Sequence, residues 1–192
     1  DSTGDVTVTL VGSNLLKGSE GSAALQKNGA DEGVGTLTIS GEGFMEAVGG
    51  MACAGIGGAY GENVANITIT GGAITVTGGG VAGIGKGEAA GGVPEKLVVS
   101  GGSIKNGTPG TGVFEKDAFG DVIARDAEGG YIRPMTINNE TGEDLIIDEV
   151  SYPKVHGTST ELCVYLSVDG IHHVKVGASE NDYVFEGAIK QE

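Results

Sequence analysis

The sequence predicts an all-β protein: a right-handed parallel β-helix of about four coils, each of about 30 residues, with a small antiparallel β cap at its C-terminal end. Three observations predict this fold. Short runs in which apolar residues alternate with threonine recur at a fixed spacing. Glycine accounts for 38 of the 192 residues and is concentrated between those runs, where it marks corners. No segment places apolar residues at helical spacing.

The repeat is defined by three six-residue segments, 36–41, 66–71 and 96–101, which align without gaps at a spacing of 30 residues. Alternating apolar residues predict strands with one buried face, and stacking such strands about 4.8 Å apart builds a continuous core. An earlier copy, at 8–12, aligns at an offset of about 29 residues. The alignment predicts two interior columns, Leu37–Ile67–Leu97 and Ile39–Ile69–Val99, and places Phe44, Ile74 and Ile104 in a third column whose earlier member is Leu15.

A motif of small residues repeats in phase with these strands. Ala-Gly-Ile-Gly at 54–57 recurs at 82–85, with looser relatives at 23–25 and 111–113. Glycine fits where the chain bends tightly or passes close to itself, so that isoleucine alone points into the core. Each coil is therefore predicted to contain an alternating strand, a glycine corner, a second strand, a variable loop and this small-residue strand.

Other repeat architectures fit this pattern less well. Leucine-rich and ankyrin repeats need helical segments, and a β-propeller needs about 40 residues per blade. The handedness of the solenoid is predicted by analogy with parallel crossover connections, which are right-handed.

The repeat stops near Asp117, where glycine corners become rare and charged residues frequent. Three short apolar runs follow, and Asp169-Gly170 between the last two is a hairpin signal. An uncovered terminal coil would leave unpaired backbone and apolar columns in contact with water. The chain is therefore predicted to divide into β-helix repeats at 1–130 and a β cap at 131–192 that packs on the last coil.

The formal net charge of −15, from 26 acidic and 11 basic residues, argues against nucleic acid and anionic membranes as partners. No apolar stretch reaches the roughly 18 residues of a membrane span, so no membrane insertion is expected. Diffuse negative charge favours a soluble monomer, although it also attracts Ca²⁺. Cys53 and Cys163 are too few for a disulfide framework and lack the neighbours of a nucleophile or a metal ligand, which predicts structural roles.

The segment 67–79, Ile-Thr-Ile-Thr-Gly-Gly-Ala-Ile-Thr-Val-Thr-Gly-Gly, together with the two Ala-Gly-Ile-Gly motifs, resembles repeats in large secreted or wall-anchored proteins of gut-type Gram-positive bacteria. Such repeats are described as carbohydrate-binding-domain-like, with the parallel β-helix shape of pectate lyases. The resemblance covers residues 6 to about 113. It implies an extracellular setting, secreted or attached to the cell wall, and a polysaccharide or a host-surface glycan or protein as ligand.

Four residues are candidate ligand-binding residues: Tyr60, Asp117, Asp121 and Asp126. Tyr60 is the strongest candidate within the coils for stacking on a sugar. The three aspartates lie in the most acidic segment, 115–128, whose oxygen atoms suit Ca²⁺ as well as plain solvation. Their spacing matches neither an EF-hand nor a nonapeptide Ca²⁺ repeat, so a solvated loop is favoured and no metal site is assigned.

Catalysis on this fold needs two acids at like positions of adjacent coils, with lysine or arginine beside them. The outward positions instead carry Thr38, Thr68, Thr75 and Thr77, which supply hydroxyls but no acid or base. The expected function is therefore that of a non-catalytic adhesive or carbohydrate-binding module of a larger surface protein. A rigid surface spacer and a polysaccharide lyase or hydrolase are the alternatives.

Overall fold

A computed structural model describes residues 4–29, 35–107 and 111–185. Within these ranges every regular element is a β strand and none is a helix, which confirms the all-β prediction. Parallel strands stack into a β-solenoid of about three complete turns, and antiparallel sheets follow towards the C-terminus.

The solenoid consists of three complete coils and a fourth that is incomplete. The chain bends sharply between the first and the second strand of each coil. Coil 1 contains β1 (Val6–Leu10), β2 (Ser13–Lys17) and β3 (Leu25–Gln26), and coil 2 contains β4 (Leu37–Gly41), β5 (Phe44–Met51) and β6 (Ile56–Gly57). In coils 3 and 4 a single bent strand runs through the corner, giving β7 (Ala65–Gly79) with the short β8 (Ile84–Gly85), and then β9 (Glu95–Asn106).

Parallel pairing confirms the first two predicted columns. β1 pairs with β4, β4 with the first half of β7, and β7 with β9. In β4, β7 and β9 the alternating apolar residues of these columns point into the core, where they are at most 5% exposed. The outward positions between them carry Thr38, Thr68 and Val98. The interior columns are Leu37–Ile67–Leu97 and Ile39–Ile69–Val99.

The third predicted column is wrong by one residue at Phe44. The gapless alignment put Phe44 beside Ile74, but Phe44 pairs with Ala73, and Met45 pairs with Ile74. The cause is corner length, because the chain takes five residue steps from Ile39 to Phe44 and only four through the next corner. A slip of one residue turns a side chain to the other face of a sheet. Met45 is therefore buried, and Phe44 lies outside the core, partly exposed.

Coil 1 shows a similar displacement. Val8 pairs with Ile39, an offset of 31 residues and not the 29 of the sequence alignment. Leu15 consequently pairs with Glu46 on the outer face and is 59% exposed, whereas Leu16 packs against the core. The placement of Leu15 in an interior-type column with Ile74 was therefore wrong.

The small-residue motif forms another interior column, separate from the one predicted for Phe44. β3, β6 and β8 pair in parallel, with Leu25, Ile56 and Ile84 in register. The fourth member is Phe114, which bridges to Ile84 in parallel, so the predicted relative at 111–113 is displaced by one residue.

The C-terminal module contains two antiparallel sheets with a small core of their own. The first pairs β10 (Ile132–Asn138) with β13 (Glu161–Ser167), and the second has the order β12 (Val150–Tyr152), β11 (Leu145–Ile147), β14 (His172–Val176) and β15 (Ser179–Tyr183). Their shared core contains Ile137, Leu145, Ile147, Tyr152, Leu162, Val164, Leu166 and Val174.

The hairpin predicted at Asp169-Gly170 is not formed, because β13 and β14 belong to different sheets and this turn carries the chain from one to the other. The described module has two-residue hairpin turns at Gly177-Ala178, between β14 and β15, and at Asp148-Glu149, between β11 and β12. In the second turn the two central residues are not glycine. Both residues have positive φ, 49° and 68°, the geometry that usually selects asparagine and glycine. The Asp148 carboxylate accepts hydrogen bonds from the His173 backbone N–H and lies 2.6 Å from the His172 ring, which holds the turn in place.

The module packs on coils 3 and 4 through alternate residues of β13. Cys163 donates its backbone N–H to Ser103 Oγ at 3.0 Å, and Tyr165 meets Phe114 edge-on with ring centroids 5.2 Å apart. Tyr165 belongs to the solenoid core and is 7% exposed. The predicted cap on the last coil is thus present as two packed antiparallel sheets.

Candidate ligand-binding groove

An open groove of about 880 Å³ lies at the corners between first and second strands. We call it the corner groove. The corners of coils 1 and 2, residues 9–13 and 41–44, form one side of it together with Glu46 and Ala73. Val155, Gly157 and Thr158, from the loop between β12 and β13, also line it. The groove therefore lies where the C-terminal module meets the first half of the solenoid.

The corners that line the groove are one residue longer than those of coils 3 and 4. Val8 pairs with Ile39 and Ser13 with Phe44, so each of the first two corners spans five residue steps. When the glycine pairs of coils 2 and 3 are superposed, the additional residue of coil 2 is Glu42, whose side chain is exposed. The lengthened corners thus add accessible surface that a strict 30-residue repeat would lack.

Phe44 is the aromatic residue of the groove. Its backbone N–H donates to the Gly12 carbonyl at 2.7 Å, and its own carbonyl accepts from Asn14 Nδ2 at 3.0 Å. Its ring meets the His156 ring edge-on at 6.3 Å. Gly157, at a φ of 61°, passes so close that a Cβ there would lie 3.0 Å from the Phe44 ring. These contacts fix the ring in place while leaving it partly exposed.

Side chains that carry oxygen atoms line the groove together with Phe44. The lining includes the carboxylates of Glu42 and Glu46, and none of the described lining residues carries a positive charge. The remaining polar side chains of the lining are hydroxyls: Thr9, Ser13 and Thr158. The groove is therefore rich in acceptors and locally negative.

One lysine lies next to the groove in sequence but is engaged elsewhere. Lys154 Nζ is 2.7 Å from Asp144 Oδ1, and neither residue lines the groove. Their hydrogen bond and mutual attraction raise the pKa of Lys154 and lower the pKa of Asp144. Weaker attractions to Glu143 and to Glu42, at the edge of the groove, also raise the pKa of Lys154. Both side chains are largely exposed, so the pair contributes little to stability.

His156 supports the groove from the protein interior. It is fully buried, and its Nε2 donates to the Ile74 carbonyl, while Nδ1 has no hydrogen-bond partner. Burial lowers the pKa of His156 to about 4; the hydrogen bond to Ile74 opposes that shift, and the nearby positive charge of Lys105 adds to it. The imidazole is consequently neutral near pH 7, and it joins the loop 153–160 to coil 3.

Tyr60, the stacking candidate of the sequence analysis, lies in the turn after β6 and not in the corner groove. Its side chain is 58% exposed, and its backbone N–H donates to the Gly21 carbonyl at 3.4 Å. Tyr60 is accessible to a ligand but stands apart from the hydroxyls and carboxylates that surround Phe44.

Two of the three candidate aspartates, Asp117 and Asp126, each hold a loop. Asp117 Oδ1 accepts from the backbone N–H groups of Phe119 and Asp121, at 2.9 and 3.0 Å. Asp126 Oδ1 accepts from Glu128 and Gly130 in the same way, in a separate loop. These are side-chain-closed turns of the kind that aspartate commonly forms.

Asp121 faces a smaller hollow of about 430 Å³ that is also lined by Lys116 and Arg133. Its Oδ1 lies 3.9 Å from Arg133 Nη2, a loose ion pair. Among the described residues, no group of three or more His, Cys, Asp or Glu side chains is arranged to hold a metal ion. Ca²⁺ binding at these aspartates stays a prediction without a geometric site.

Neither cysteine forms a disulfide. Cys53 is buried and its Sγ lies 3.3 Å from the Met51 carbonyl oxygen. Burial raises the pKa of the Cys163 thiol, which keeps it protonated near neutral pH. Both thiols are thus placed as packing groups.

Phe44 and Glu42 were not predicted as site residues, because the gapless alignment placed Phe44 in a column with Ile74. A signal for them existed. Aligning the corners on their glycine pairs makes Glu42 an insertion and turns Phe44 to the outer face.

Comparison with protein-family models, curated proteins and solved structures found no match to the chain. In the described ranges, no helix has the length and apolar character needed to cross a membrane.

Proposed function

We propose that the chain is a non-catalytic, carbohydrate-binding β-solenoid module of an extracellular bacterial surface protein, and that the corner groove is its contact surface. The observation that carries this proposal is the position of Phe44, a fixed and partly exposed aromatic ring, among hydroxyl and carboxylate groups in one open groove. A sugar ring offers an apolar face that packs on an aromatic ring and hydroxyls that need hydrogen-bond partners. The groove offers both kinds of contact.

The outer face of the second strands supports a role in binding over catalysis. In the described coils, one outward row runs Leu15, Glu46, Thr75 and Lys105. It holds one carboxylate, Glu46, whereas acid-base cleavage of a glycosidic bond requires two acting together. The second carboxylate that lines the groove, Glu42, lies on the exposed corner and does not belong to this row. Binding needs no such pair.

The extracellular setting rests on the resemblance of segment 67–79 and the Ala-Gly-Ile-Gly motifs to repeats of secreted and wall-anchored proteins. A surface with a formal net charge of −15 suits such a setting because it keeps an exposed module soluble.

Three matched aromatic variants test this proposal on a glycan array: Phe44→Leu, Tyr60→Leu and Phe119→Leu. Phe119 is 81% exposed and lies outside the groove, so it controls for the loss of any aromatic ring. Leucine keeps the apolar contact of Phe44 at a cost in stability below about 1.5 kcal/mol but removes the flat face. We expect binding to a glycan class that is weakened by Phe44→Leu alone.

Loss of binding in Tyr60→Leu, with Phe44→Leu unaffected, would move the contact surface to the turn after β6. A wild-type protein that binds no glycan would contradict the proposal.

A rigid surface spacer is the second candidate, and the first strands favour it. Their outward row of Thr7, Thr38 and Thr68 forms a hydroxyl ladder without charge or aromatic groups. Such a ladder stabilises a sheet and offers little that distinguishes one ligand from another. Absence of any ligand on glycan and protein arrays would favour this role.

A further inference from the structure

We propose that the corner groove selects an amino-sugar polymer with free amino groups, such as a de-N-acetylated glucosamine chain. This inference rests on the proposed function and adds the chemical class of the ligand. It follows from charge, since the only ionised side chains among the described residues that line the groove are two carboxylates.

Glu42 and Glu46 are both available to an incoming cation. Neither forms an ion pair with any residue in the described ranges. Glu42 is exposed at the tip of the longer corner, and Glu46 follows two residues after Phe44 on the outer face of β5. A protonated amine that reaches either carboxylate forms charge-assisted hydrogen bonds, which are about twice as strong as neutral ones.

The rest of the lining matches the other features of a glucosamine unit. The Phe44 ring can pack against the apolar face of the sugar, and Thr9, Ser13 and Thr158 supply hydroxyls for its hydroxyl groups. Val11, 79% exposed on the same corner, adds apolar surface at the edge.

The same charges disfavour the other common classes of polysaccharide. A uronic acid or a phosphorylated polymer would bring an anion against two carboxylates with no lining cation to compensate. The overall charge of −15 acts in the same direction at longer range, by attracting a polycation and repelling a polyanion.

A pair of hexasaccharides that differ only in N-acetylation, with an acidic hexasaccharide beside them, provides the test. Titration calorimetry at a pH where amines are protonated would compare the hexamer of glucosamine with those of N-acetylglucosamine and galacturonic acid. We expect the glucosamine hexamer to bind at least about tenfold more tightly than the acetylated hexamer, and the uronate not to bind. The preference should shrink as salt is raised, because exposed charges are screened.

Paired variants separate the groove from non-specific attraction to an acidic protein. Glu42→Gln with Glu46→Gln removes the two groove charges, and Glu20→Gln with Glu62→Gln removes two exposed charges elsewhere. We expect the first pair to lower glucosamine affinity about tenfold and the second pair to change it less than about twofold. Thermal melting of both variants checks that the fold is unchanged.

Equal losses in both pairs, or equal affinity for the acetylated hexamer, would overturn this inference. Binding of a neutral glycan that Phe44→Leu weakens would leave the proposed function standing without it. Failure of every glycan to bind would remove both.

Discussion

The corners of the four coils form a row along one continuous sheet. The first half of this row, in coils 1 and 2, has different surroundings from the second half, in coils 3 and 4. The corner residues Gly72 of coil 3 and Gly102 and Ser103 of coil 4 are buried, and Ser103 Oγ accepts a hydrogen bond from β13 of the C-terminal module. In coils 1 and 2 the corner residues Val11, Gly12 and Glu42 are exposed and line an open groove. The first half of the row is one residue longer per corner than the second.

The difference shows how one repeat can serve two purposes. Short glycine corners present a flat surface on which another sheet can pack, because no side chain intervenes. A single inserted residue lengthens the corner, turns Phe44 outward and adds the charge of Glu42. Corner length therefore distinguishes the surface on which the module packs from the candidate binding surface. The interior columns follow the same pattern in both halves.

The largest expected effect on stability concerns the half of the row that the C-terminal module covers. Tyr165 fills the space between Phe114 and the solenoid core, so Tyr165→Ala should lower the free energy of unfolding by about 3–5 kcal/mol. Denaturant unfolding measures this. Phe119→Ala, at an 81% exposed position, should change it by less than about 0.5 kcal/mol. Similar values for the two variants would show that the module is not packed on the last coil.

Acid should weaken a second contact between the C-terminal module and the solenoid, that of His156 with coil 3. Its pKa is lowered to about 4 in the folded state, so the unfolded chain binds more protons than the folded one between about pH 4 and 6.5. The contribution of the neutral His156 imidazole to the free energy of unfolding is fully present above about pH 6.5. It falls by on the order of 3 kcal/mol as the pH drops to 4. Unfolding curves of wild type and His156→Gln at several pH values would measure the difference. An equal pH dependence in the two proteins would contradict the burial of a neutral imidazole.

Two corner glycines provide a matched pair for the next effect. Gly12 and Gly102 both have positive φ, 63° and 79°, so alanine at either site costs about 1–2 kcal/mol in backbone strain. A Cβ at Gly12 meets nothing within 4 Å, whereas a Cβ at Gly102 would lie 2.8 Å from the Gly71 carbonyl oxygen. Gly102→Ala should therefore lose about 1–3 kcal/mol more than Gly12→Ala in denaturant unfolding. Equal losses would show that the two corners are equally open.

The smallest effect on stability belongs to the open half. Glu42→Gln removes an exposed charge that has no ion-pair partner among the described residues, so the free energy of unfolding should change by less than about 0.5 kcal/mol. Its effect should instead appear in glucosamine binding. A stability loss above about 1 kcal/mol would mean that Glu42 is part of the packing of the corner.

Much of the solenoid could be predicted from the sequence because burial on one face imposes a period of two within each strand and a fixed spacing between strands. Ile39, Ile69 and Val99 obey both constraints, and their column was predicted correctly. Corner length is not under the same constraint, since an exposed residue such as Glu42 can be inserted without disturbing the columns on either side. The misplacement of Phe44 followed from that freedom, and that of Leu15 followed also from the 31-residue spacing between β1 and β4.

The groove itself was beyond prediction because one of its sides comes from another part of the chain. Gly157 approaches Phe44 only through the packing of the C-terminal module, and the sequences around 44 and 157 carry no shared signal. The aspartates at 117, 121 and 126 were predicted as ligand-binding residues because of their negative charge. The carboxylates of Asp117 and Asp126 instead accept hydrogen bonds that close local turns.

Hydrogen exchange of the protein with and without the glucosamine hexamer tests the central claim, that the long corners are the open and ligand-contacting half of the row. We predict that residues 9–14 and 41–46 become more protected when the hexamer is present, while 100–106 is well protected in both states. Unchanged exchange in the long corners, with new protection around Tyr60 or at 115–128, would contradict the account and place the ligand elsewhere.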